Sequence, residues 1–226
     1  TYYLAPVPPE GAQAAPKPPS HYIEGLFDTY ADGFDQHVID VLGYRAPELL
    51  ADRIGALAPG RRFRCALDLG CGTGLCGLRL KALSGQLTGV DLSGQMLEKA
   101  RATGCYHALV HREAAEYLEA TDARFDLAVA ADVFIYVGDL ARVFAGMRRV
   151  LDDGGLFCFS VEALPDDAAG GFALRSTLRY AHSQRYVRAL AAEHGFEMVD
   201  VLGAPLRQDQ RKPIDGLFFV LRRRAD

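Results

Sequence analysis

One short segment of the sequence, Asp68–Gly74 (DLGCGTG), places three glycines at alternate positions directly after a carboxylate. Because glycine has no Cβ, this spacing lets the backbone turn sharply and lets a ligand lie against bare main chain. A helix predicted to begin at Leu75 would direct its unbonded N–H groups into the same space. Cys71 is interpreted as a small packing residue and not as a nucleophile. The segment predicts a ligand-binding loop formed by Asp68, Gly70, Cys71, Gly72 and Gly74.

The features of this loop disfavour a phosphate ligand. A dinucleotide-binding motif of the form G-x-G-x-x-G/A requires glycine or alanine where this chain has Leu75. No phosphate loop of the form G-x-x-x-x-G-K-S/T occurs, and the loop contains no lysine or arginine to neutralise a pyrophosphate. Asp68 instead supplies a negative charge, which predicts a ligand bearing cationic ammonium and sulfonium groups and no phosphate.

Further acidic residues follow the next three predicted strands. Asp91 ends the second strand, where a carboxylate can accept hydrogen bonds from both hydroxyls of a ribose. Glu113 follows the third strand and is a candidate to accept from an adenine amino group, and Asp132 follows the fourth.

These residues lie on a predicted alternation of buried strands and helices, which is typical of a parallel sheet covered on both faces. The last two strands are joined by the polar loop Ala204–Asp215, which is too short for a helical crossover, so they should pair antiparallel. The predicted strands are Arg64–Leu69, Gln86–Val90, Ala108–His111, Phe125–Ala130, Gly155–Val161, Phe196–Leu202 and Gly216–Leu221. The predicted helices between them are Leu75–Leu83, Ser93–Thr103, Ala114–Ala120, Leu140–Leu151 and Gln184–Glu193.

In order and spacing, these motifs resemble those of the class I methyltransferases that depend on S-adenosylmethionine (SAM). The resemblance covers about Phe63–Val161 and implies a Rossmann-like, doubly wound α/β fold. That fold has helices on both faces of a seven-stranded, mostly parallel sheet with an antiparallel last strand. It also implies SAM as cofactor, with the Ala131 carbonyl facing the SAM amine and the Ala114 N–H near the adenine. Leu92 and Met96 would then either sandwich the adenine or pack in the core. The motifs that carry it are ALDLGCGTGL, TGVDLSGQML, FDLAVAADV and LDDGGLFCFS.

The segments outside this core resemble methyltransferase modules that follow tetratricopeptide (TPR) repeats in bacterial proteins. The strings that carry this resemblance are YIEGLFDTYADGFDQHVIDVL, VAADVFIYV and RYAHSQRY. Six of the eleven prolines fall between Pro6 and Pro19, which predicts a proline-rich linker or tail over residues 1–20 and a single domain over 21–226. Within that domain, residues 21–58 are predicted to form a helical lid, in which Tyr30 either reaches the SAM carboxylate or packs on the sheet. A protein partner bound through TPR repeats, which this chain lacks, is left open.

Substrate specificity is expected to reside in an insert, residues 164–182, after the fifth strand, in which Phe172–Leu174 and Leu178–Tyr180 are expected to form a small hairpin. Tyr136 follows the fourth strand and is expected to face the same cleft. His182 is a candidate general base, because imidazole titrates near neutrality, or else a packing residue. Asp132 either positions substrate or caps its loop. The candidate substrate residues are Tyr136, Arg179 and Tyr180.

Composition narrows the class of acceptor. The 226 residues carry a net charge of −4, with a pI of about 5.9, which argues against a nucleic-acid binder. No apolar run approaches the roughly 18 residues of a membrane span. The five cysteines form no CxxC pair, so the sequence does not predict a metal site of that kind. A cytoplasmic enzyme acting on a small molecule is therefore expected. The alternatives are a protein methyltransferase and a non-catalytic SAM-binding module.

Overall fold

The computed structural model describes residues 20–30, 34–36, 42–209 and 212–225. The predicted linker lies outside this part of the chain, except for Ser20, which begins the first helix. The helices are α1 Ser20–Tyr30, α2 Phe34–Gln36, α3 Ala46–Leu57, α4 Leu75–Leu80, α5 Gly94–Ala102, α6 Ala114–Ala120, α7 Ala141–Val150 and α8 Gln184–Glu193. The strands are β1 Phe63–Leu69, β2 Ser84–Asp91, β3 Ala108–His111, β4 Phe125–Ala130, β5 Leu151–Leu164, β6 Phe172–Leu174, β7 Tyr180–Ser183, β8 Phe196–Asp209 and β9 Lys212–Arg223.

The strands form one twisted sheet whose central part has the order β3-β2-β1-β4-β5, all parallel. Strand β9 continues the sheet antiparallel to β5, and β8 pairs antiparallel with β9. The predicted fold class is confirmed, including the reversed strand near the end. The described residues contain nine strands and not the predicted seven, because β6 and β7 add a small hairpin to the extended end of β5.

This hairpin lies inside the predicted insert. The sequence predicts its strands over Phe172–Leu174 and Leu178–Tyr180, whereas the second strand is Tyr180–Ser183. The strand starts later because Leu178 adopts a left-handed conformation with φ of 58° and belongs to the turn. The N–H of Arg175 donates to the carbonyl of Arg179 at 2.8 Å and closes that turn.

The predicted loop Ala204–Asp215 is wrong, because most of it continues the antiparallel ladder of β8 and β9. Ala204 pairs with Gly216, and Arg207 pairs with Ile214. Paired strands satisfy their backbone hydrogen bonds whatever the polarity of the side chains. The polar side chains of this stretch therefore do not prevent β8 and β9 from pairing through it. The side chain of Leu206 packs over Gly216, where a Cβ would collide with it.

Two apolar layers lie on the two faces of the sheet. On one face α6, α7 and α8 cover a cluster rich in phenylalanine, in which Phe144 packs edge-on against Phe157 and Phe159. On the other face α3 and α4 cover a cluster that includes Leu50 and Phe218. Strand β4 is buried from both sides over its last four residues, as a central parallel strand should be. The rigid sheet therefore fixes the loops at the carboxyl ends of β1, β2 and β4, where the predicted site lies.

Candidate functional site

The glycine loop turns the chain from β1 into α4. Gly70, Gly72 and Gly74 have φ values of 70°, 53° and 97°, which side chains with a Cβ rarely adopt. A Cβ at Gly70 would also collide with the side chain of Val133. The N–H groups of Gly70 and Cys71 both donate to the carbonyl of Val90, at 2.7 and 3.0 Å, so the loop is tied to the end of β2. The predicted tight turn is confirmed, and the buried Cys71 packs with Leu97 and Ala100.

Asp91 holds this loop from the end of β2. Its Oδ2 accepts from the N–H of Gly72 at 2.8 Å, and its Oδ1 accepts from the N–H of Ser93 at 2.9 Å. Burial raises the pKa of Asp91, and these backbone donors oppose that rise. Each carboxylate oxygen can accept more than one hydrogen bond, so Asp91 retains capacity for a ligand with paired hydroxyls.

Asp68, at the carboxyl end of β1, has no counter-charge among the residues that the structure describes. It is 1% exposed, and its Oδ2 accepts from the hydroxyl of Tyr106 at 2.6 Å. Its Oδ1 is buried and has no hydrogen-bond partner within the described residues. Burial raises the pKa of Asp68 to about 7, the Tyr106 bond lowers it, and the charge of Asp91 raises it. Such an arrangement fits a cationic ligand group that would approach Oδ1.

Tyr106 was not recognised in the sequence. It precedes β3, and its ring packs against Gly74, Gly77 and Gly89, at each of which a Cβ would crowd it. Its hydroxyl reaches Asp68 only because these three glycines leave room for the ring. The sequence contains no local motif for this contact, since the bonded residues are 38 positions apart.

The predicted adenine residues surround the start of α5 and α6. Met96 is buried, and the carbonyl of Leu92 lies 2.7 Å from Nε2 of His111. Glu113 caps α6, because its Oε2 accepts from the N–H of Glu116 at 2.9 Å. Ala114 is the first residue of that helix. The structure therefore shows a capping role for Glu113, and its contact with adenine stays a prediction.

Helices α1 and α2 lie over this region and contact it through acidic side chains. Asp28 accepts from the Ser93 hydroxyl at 2.5 Å and from the N–H of Gln95 at 3.3 Å. Asp35 accepts from the hydroxyl of Thr73, in the glycine loop, at 2.5 Å. These contacts support the predicted lid. The side chain of Tyr30 lies outside the described part of the chain, so its role stays a prediction.

A buried ion-pair network lies at the carboxyl ends of β4 and β5. Arg207, on β8, donates through Nη1 to both carboxylate oxygens of Asp132, at 2.9 and 2.8 Å, and through Nη2 to Glu162. Asp132 has φ of 57°, and its N–H donates to Oγ of Ser160 at 2.9 Å. The side chains of Arg207 and Glu162 are 3% and 4% exposed. Asp132 is thus held by Arg207, which sequence reasoning missed because it placed Arg207 in a loop.

Two tyrosines border the group formed by Arg207, Asp132 and Glu162, which we call the Arg207 network. The hydroxyl of Tyr44 donates to the carbonyl of Ala131 at 3.2 Å, so this predicted cofactor contact already has one partner. Tyr136 packs edge-on against Phe27 of the lid, with ring centroids 5.4 Å apart, and lies beside Arg179. Burial raises the pKa of Tyr136, and the charge of Arg179 opposes that rise. The predicted substrate residues Tyr136 and Arg179 therefore meet beneath the lid.

His182 does not occupy the position of a general base, which corrects that prediction. It is 0% exposed, and its Nε2 lies 2.8 Å from the carbonyl of Gly138. Burial lowers the pKa of His182 to about 4, so the ring is neutral near neutral pH. It lies in the second strand of the hairpin and packs against the rings of Phe172 and Tyr186. The packing alternative is therefore the one that the structure supports.

Tyr180 packs against Gly138 and the ring of Phe172. It is 7% exposed and lines a cavity of about 270 Å³ together with Glu113, Val137 and Phe172. No residue of the glycine loop lines this cavity. Among the described residues no cluster of histidine, cysteine and acidic side chains could hold a metal ion. No helix in that part of the chain is long and apolar enough to cross a membrane.

Comparison with known proteins gives the following relatives. Residues 67–159 match the family described as "Methyltransferase domain". The chain is 35% identical over 153 residues to the malonyl-[acyl-carrier protein] O-methyltransferase of Geobacter sulfurreducens, covering 60% of this chain and 56% of that protein. It is 32% identical over 170 residues to human methyltransferase-like protein 27, covering 74% and 62%. With the 27-O-demethylrifamycin SV methyltransferase of Amycolatopsis mediterranei it shares 28% identity over 171 residues, covering 68% and 63%. The chain thus spans less than two thirds of each relative.

Solved structures share the fold. The N-methyltransferase NodS of Bradyrhizobium japonicum, in complex with S-adenosylhomocysteine (SAH), superposes with a TM-score of 0.68 at 17% identity, covering 89% of this chain and 98% of NodS. The [4+2]-cyclase SpnF superposes with a TM-score of 0.72 at 20% identity, covering 95% of this chain and 100% of SpnF. At such identities the likeness establishes the fold and not the reaction.

Proposed function

Because residues 67–159 belong to a class I SAM-dependent methyltransferase domain, for which SAM is the cofactor, we propose that the chain transfers the methyl group of SAM to a small-molecule acceptor. The predicted family, fold class, enzyme class and cofactor are confirmed. The resemblance to modules that follow TPR repeats stays a prediction. Because the chain spans only part of its relatives, its own activity and acceptor are proposals.

The observation that carries this proposal is the buried Oδ1 of Asp68, which lacks a partner within the described residues. A buried carboxylate without a counter-charge is costly, and a cationic ligand group would relieve that cost. SAM carries such a group, and it supplies a methyl group on a sulfonium sulfur that is already an activated leaving group. The site residues therefore fit this cofactor.

The chain's own residues would bind and orient. Asp91 would accept from the ribose hydroxyls, while its bonds to Gly72 and Ser93 keep its carboxylate fixed. Asp68 would accept from the ammonium group. The lid helices, held through Asp28 and Asp35, would exclude water from the reacting groups. Alignment of the reactants is the main contribution required of the protein.

Two observations support a small-molecule acceptor. The chain carries a net charge of −4, which disfavours nucleic acid. Two of the relatives are named for malonyl groups on acyl-carrier protein and for 27-O-demethylrifamycin SV, so related domains serve small chemical groups.

The test combines binding and turnover. Calorimetry should detect SAM and SAH binding to the chain, and release of SAH should increase when an acceptor from a panel of small carboxylates, alcohols and amines is added. Binding without turnover on any acceptor would instead support the non-catalytic module. Absence of SAM and SAH binding would contradict the proposal outright.

The pH dependence of SAM binding provides a sharper test of Asp68. Its pKa of about 7 means that the ionised fraction falls about tenfold from one unit above that pKa to one unit below it. SAM affinity of the wild-type chain is therefore expected to fall about tenfold over the same pH interval. Asp68→Asn should bind SAM more weakly above the pKa and show a flat profile. Calorimetry across pH measures both.

Asp68→Asn is expected to weaken SAM binding but to stabilise the fold above the pKa of Asp68. The pKa of Asp68 is higher in the folded chain than in the unfolded chain, so its contribution to stability is lost as pH rises through about 7. Asp68→Asn should therefore raise the melting temperature above that pH, since its amide oxygen can still accept from Tyr106. The matched control is Asp122→Asn, at an exposed position. A variant that is no more stable than wild type above the pKa would contradict the assigned burial cost.

A further inference from the structure

The acidic side chains of the Arg207 network are already engaged by cations. Both oxygens of Asp132 accept from Arg207, and Glu162 accepts from Arg207 while its Oε2 lies 3.7 Å from Nε of Arg175. An acceptor that approaches this network would therefore meet carboxylates whose oxygens are already engaged by arginine.

The other titratable groups nearby do not supply a base either. Burial raises the pKa of Tyr44 and of Tyr136, so both remain phenols near neutral pH. His182 is fully buried in the hairpin and is bonded to a backbone carbonyl. Within the described residues around the network, an acceptor that must lose a proton would find no group to take it. An acceptor that is already an anion needs none.

Positively charged side chains outnumber the negatively charged ones in and beside the Arg207 network. Arg175 and Arg207 face the two carboxylates of Asp132 and Glu162, and Arg179, beside Tyr136, adds a third guanidinium, which leaves one positive charge in excess. The side chain of Arg179 forms no ion pair with a carboxylate among the described residues and lies beside Tyr136. Nε of Arg207 is buried without a hydrogen-bond partner in that part of the chain. The cluster therefore offers unsatisfied donors and a positive charge beneath the lid.

We propose that the acceptor is a small carboxylate, that Arg179 and Tyr136 bind its carboxylate group, and that one carboxylate oxygen receives the methyl group. This inference rests on the proposed function and names the substrate class of that site. In the transfer, the carboxylate oxygen forms a bond to the methyl carbon as the bond from that carbon to the sulfonium sulfur breaks. The sulfur keeps the electron pair, and the products are SAH and a methyl ester. No proton is transferred, which agrees with the engaged acids.

The test measures acceptor binding separately from turnover. The chain is saturated with SAH, and butanoate, hexanoate and decanoate are titrated by calorimetry beside the primary amides and amines of the same lengths. At least one carboxylate should bind, and its amide and amine should not. Arg179→Gln should weaken carboxylate binding about 10- to 100-fold, as expected for a lost charge-assisted hydrogen bond. SAH affinity should stay within about twofold.

Matched variants separate a specific contact from a general loss of charge. Arg185→Gln, at an exposed position on α8, removes the same charge and should leave carboxylate binding unchanged. Arg179→Lys should restore part of the affinity, because it keeps the charge without the planar donor pair. With SAM in place of SAH, mass spectrometry should detect the methyl ester of the bound carboxylate.

Three results would overturn the inference. They are amides or amines binding as tightly as carboxylates, Arg179→Gln binding like wild type, and no carboxylate binding at millimolar concentration to a chain that binds SAH. The last result would leave the proposed function standing. A wild-type chain that fails to bind SAH would overturn the proposed function and this inference together.

Discussion

Replacing Asp91 with alanine is expected to weaken SAM binding by roughly a hundredfold or more. The carboxylate is expected to accept two charge-assisted hydrogen bonds from ribose, each contributing about 1.5–3 kcal/mol. It also accepts from the N–H groups of Gly72 and Ser93, so its removal loosens the glycine loop as well as the ribose contact. The two effects act in the same direction on SAM affinity.

Asp91→Ala is expected to reduce SAM affinity without unfolding the chain. Asp91 lies at the end of β2, and the strand keeps its pairing with β1 and β3 through backbone hydrogen bonds. The burial that raises the pKa of Asp91 is a cost that alanine does not carry, which offsets part of the lost hydrogen bonding. Circular dichroism should therefore show an intact fold while calorimetry shows the loss of affinity.

Two controls sharpen the result. Asp122→Ala removes an exposed carboxylate and should bind SAM like wild type. Asp91→Asn keeps one oxygen acceptor but points an NH₂ group at one of two backbone donors, so it should resemble the alanine variant more than wild type. Unchanged affinity in Asp91→Ala with a folded chain would exclude Asp91 as the ribose acid.

The loop and its acids could be predicted because their determinants are local. Three glycines with positive φ, the preceding strand and the following helix lie within a few residues of one another. The end of β2 is brought to the same edge by the parallel pairing of β1 with β2, which the alternating pattern implies. Sequence reasoning therefore placed Asp68 and Asp91 side by side without knowledge of the packing.

The residues that were missed depend on pairings that are distant in the sequence. Tyr106 contacts Asp68 across 38 positions, and Arg207 contacts Asp132 across 75. Arg207 lies in a polar stretch that favours a loop when it is read locally, and only the register of β8 against β9 turns its side chain inward. His182 was a candidate base because of its residue type, whereas its chemistry is set by burial in the hairpin.

The fold alone does not decide what happens beside the cofactor loop. SpnF, a [4+2]-cyclase, superposes on this chain as well as a methyltransferase does. The reaction must therefore be argued from the side chains at the carboxyl ends of β4, β5 and β8, which differ between proteins that share the sheet. In this chain Arg207 bonds to both Asp132 and Glu162 in that region, so its contribution to the free energy of unfolding can be tested by substitution.

Replacing Arg207 with methionine is expected to destabilise the chain by about 3–5 kcal/mol. Methionine fills a similar volume but leaves Asp132 and Glu162 buried without their shared cation, and an unpaired buried charge is far costlier than a missing salt bridge. Urea denaturation measures the change in the free energy of unfolding.

The matched control uses a neighbouring strand. Arg222→Met, on β9, removes a guanidinium that is 44% exposed and lies 3.4 Å from Glu197, and such surface pairs contribute less than about 1 kcal/mol. If Arg207→Met is as mild as Arg222→Met, the network does not stabilise the fold in the way its geometry indicates. A second variant, Arg207→Met with Asp132→Asn and Glu162→Gln, removes the unpaired charges and should recover much of the loss. Recovery would show that the cost arises from the two carboxylates, and hence that Arg207 is what allows acidic side chains to remain buried and engaged beside the acceptor.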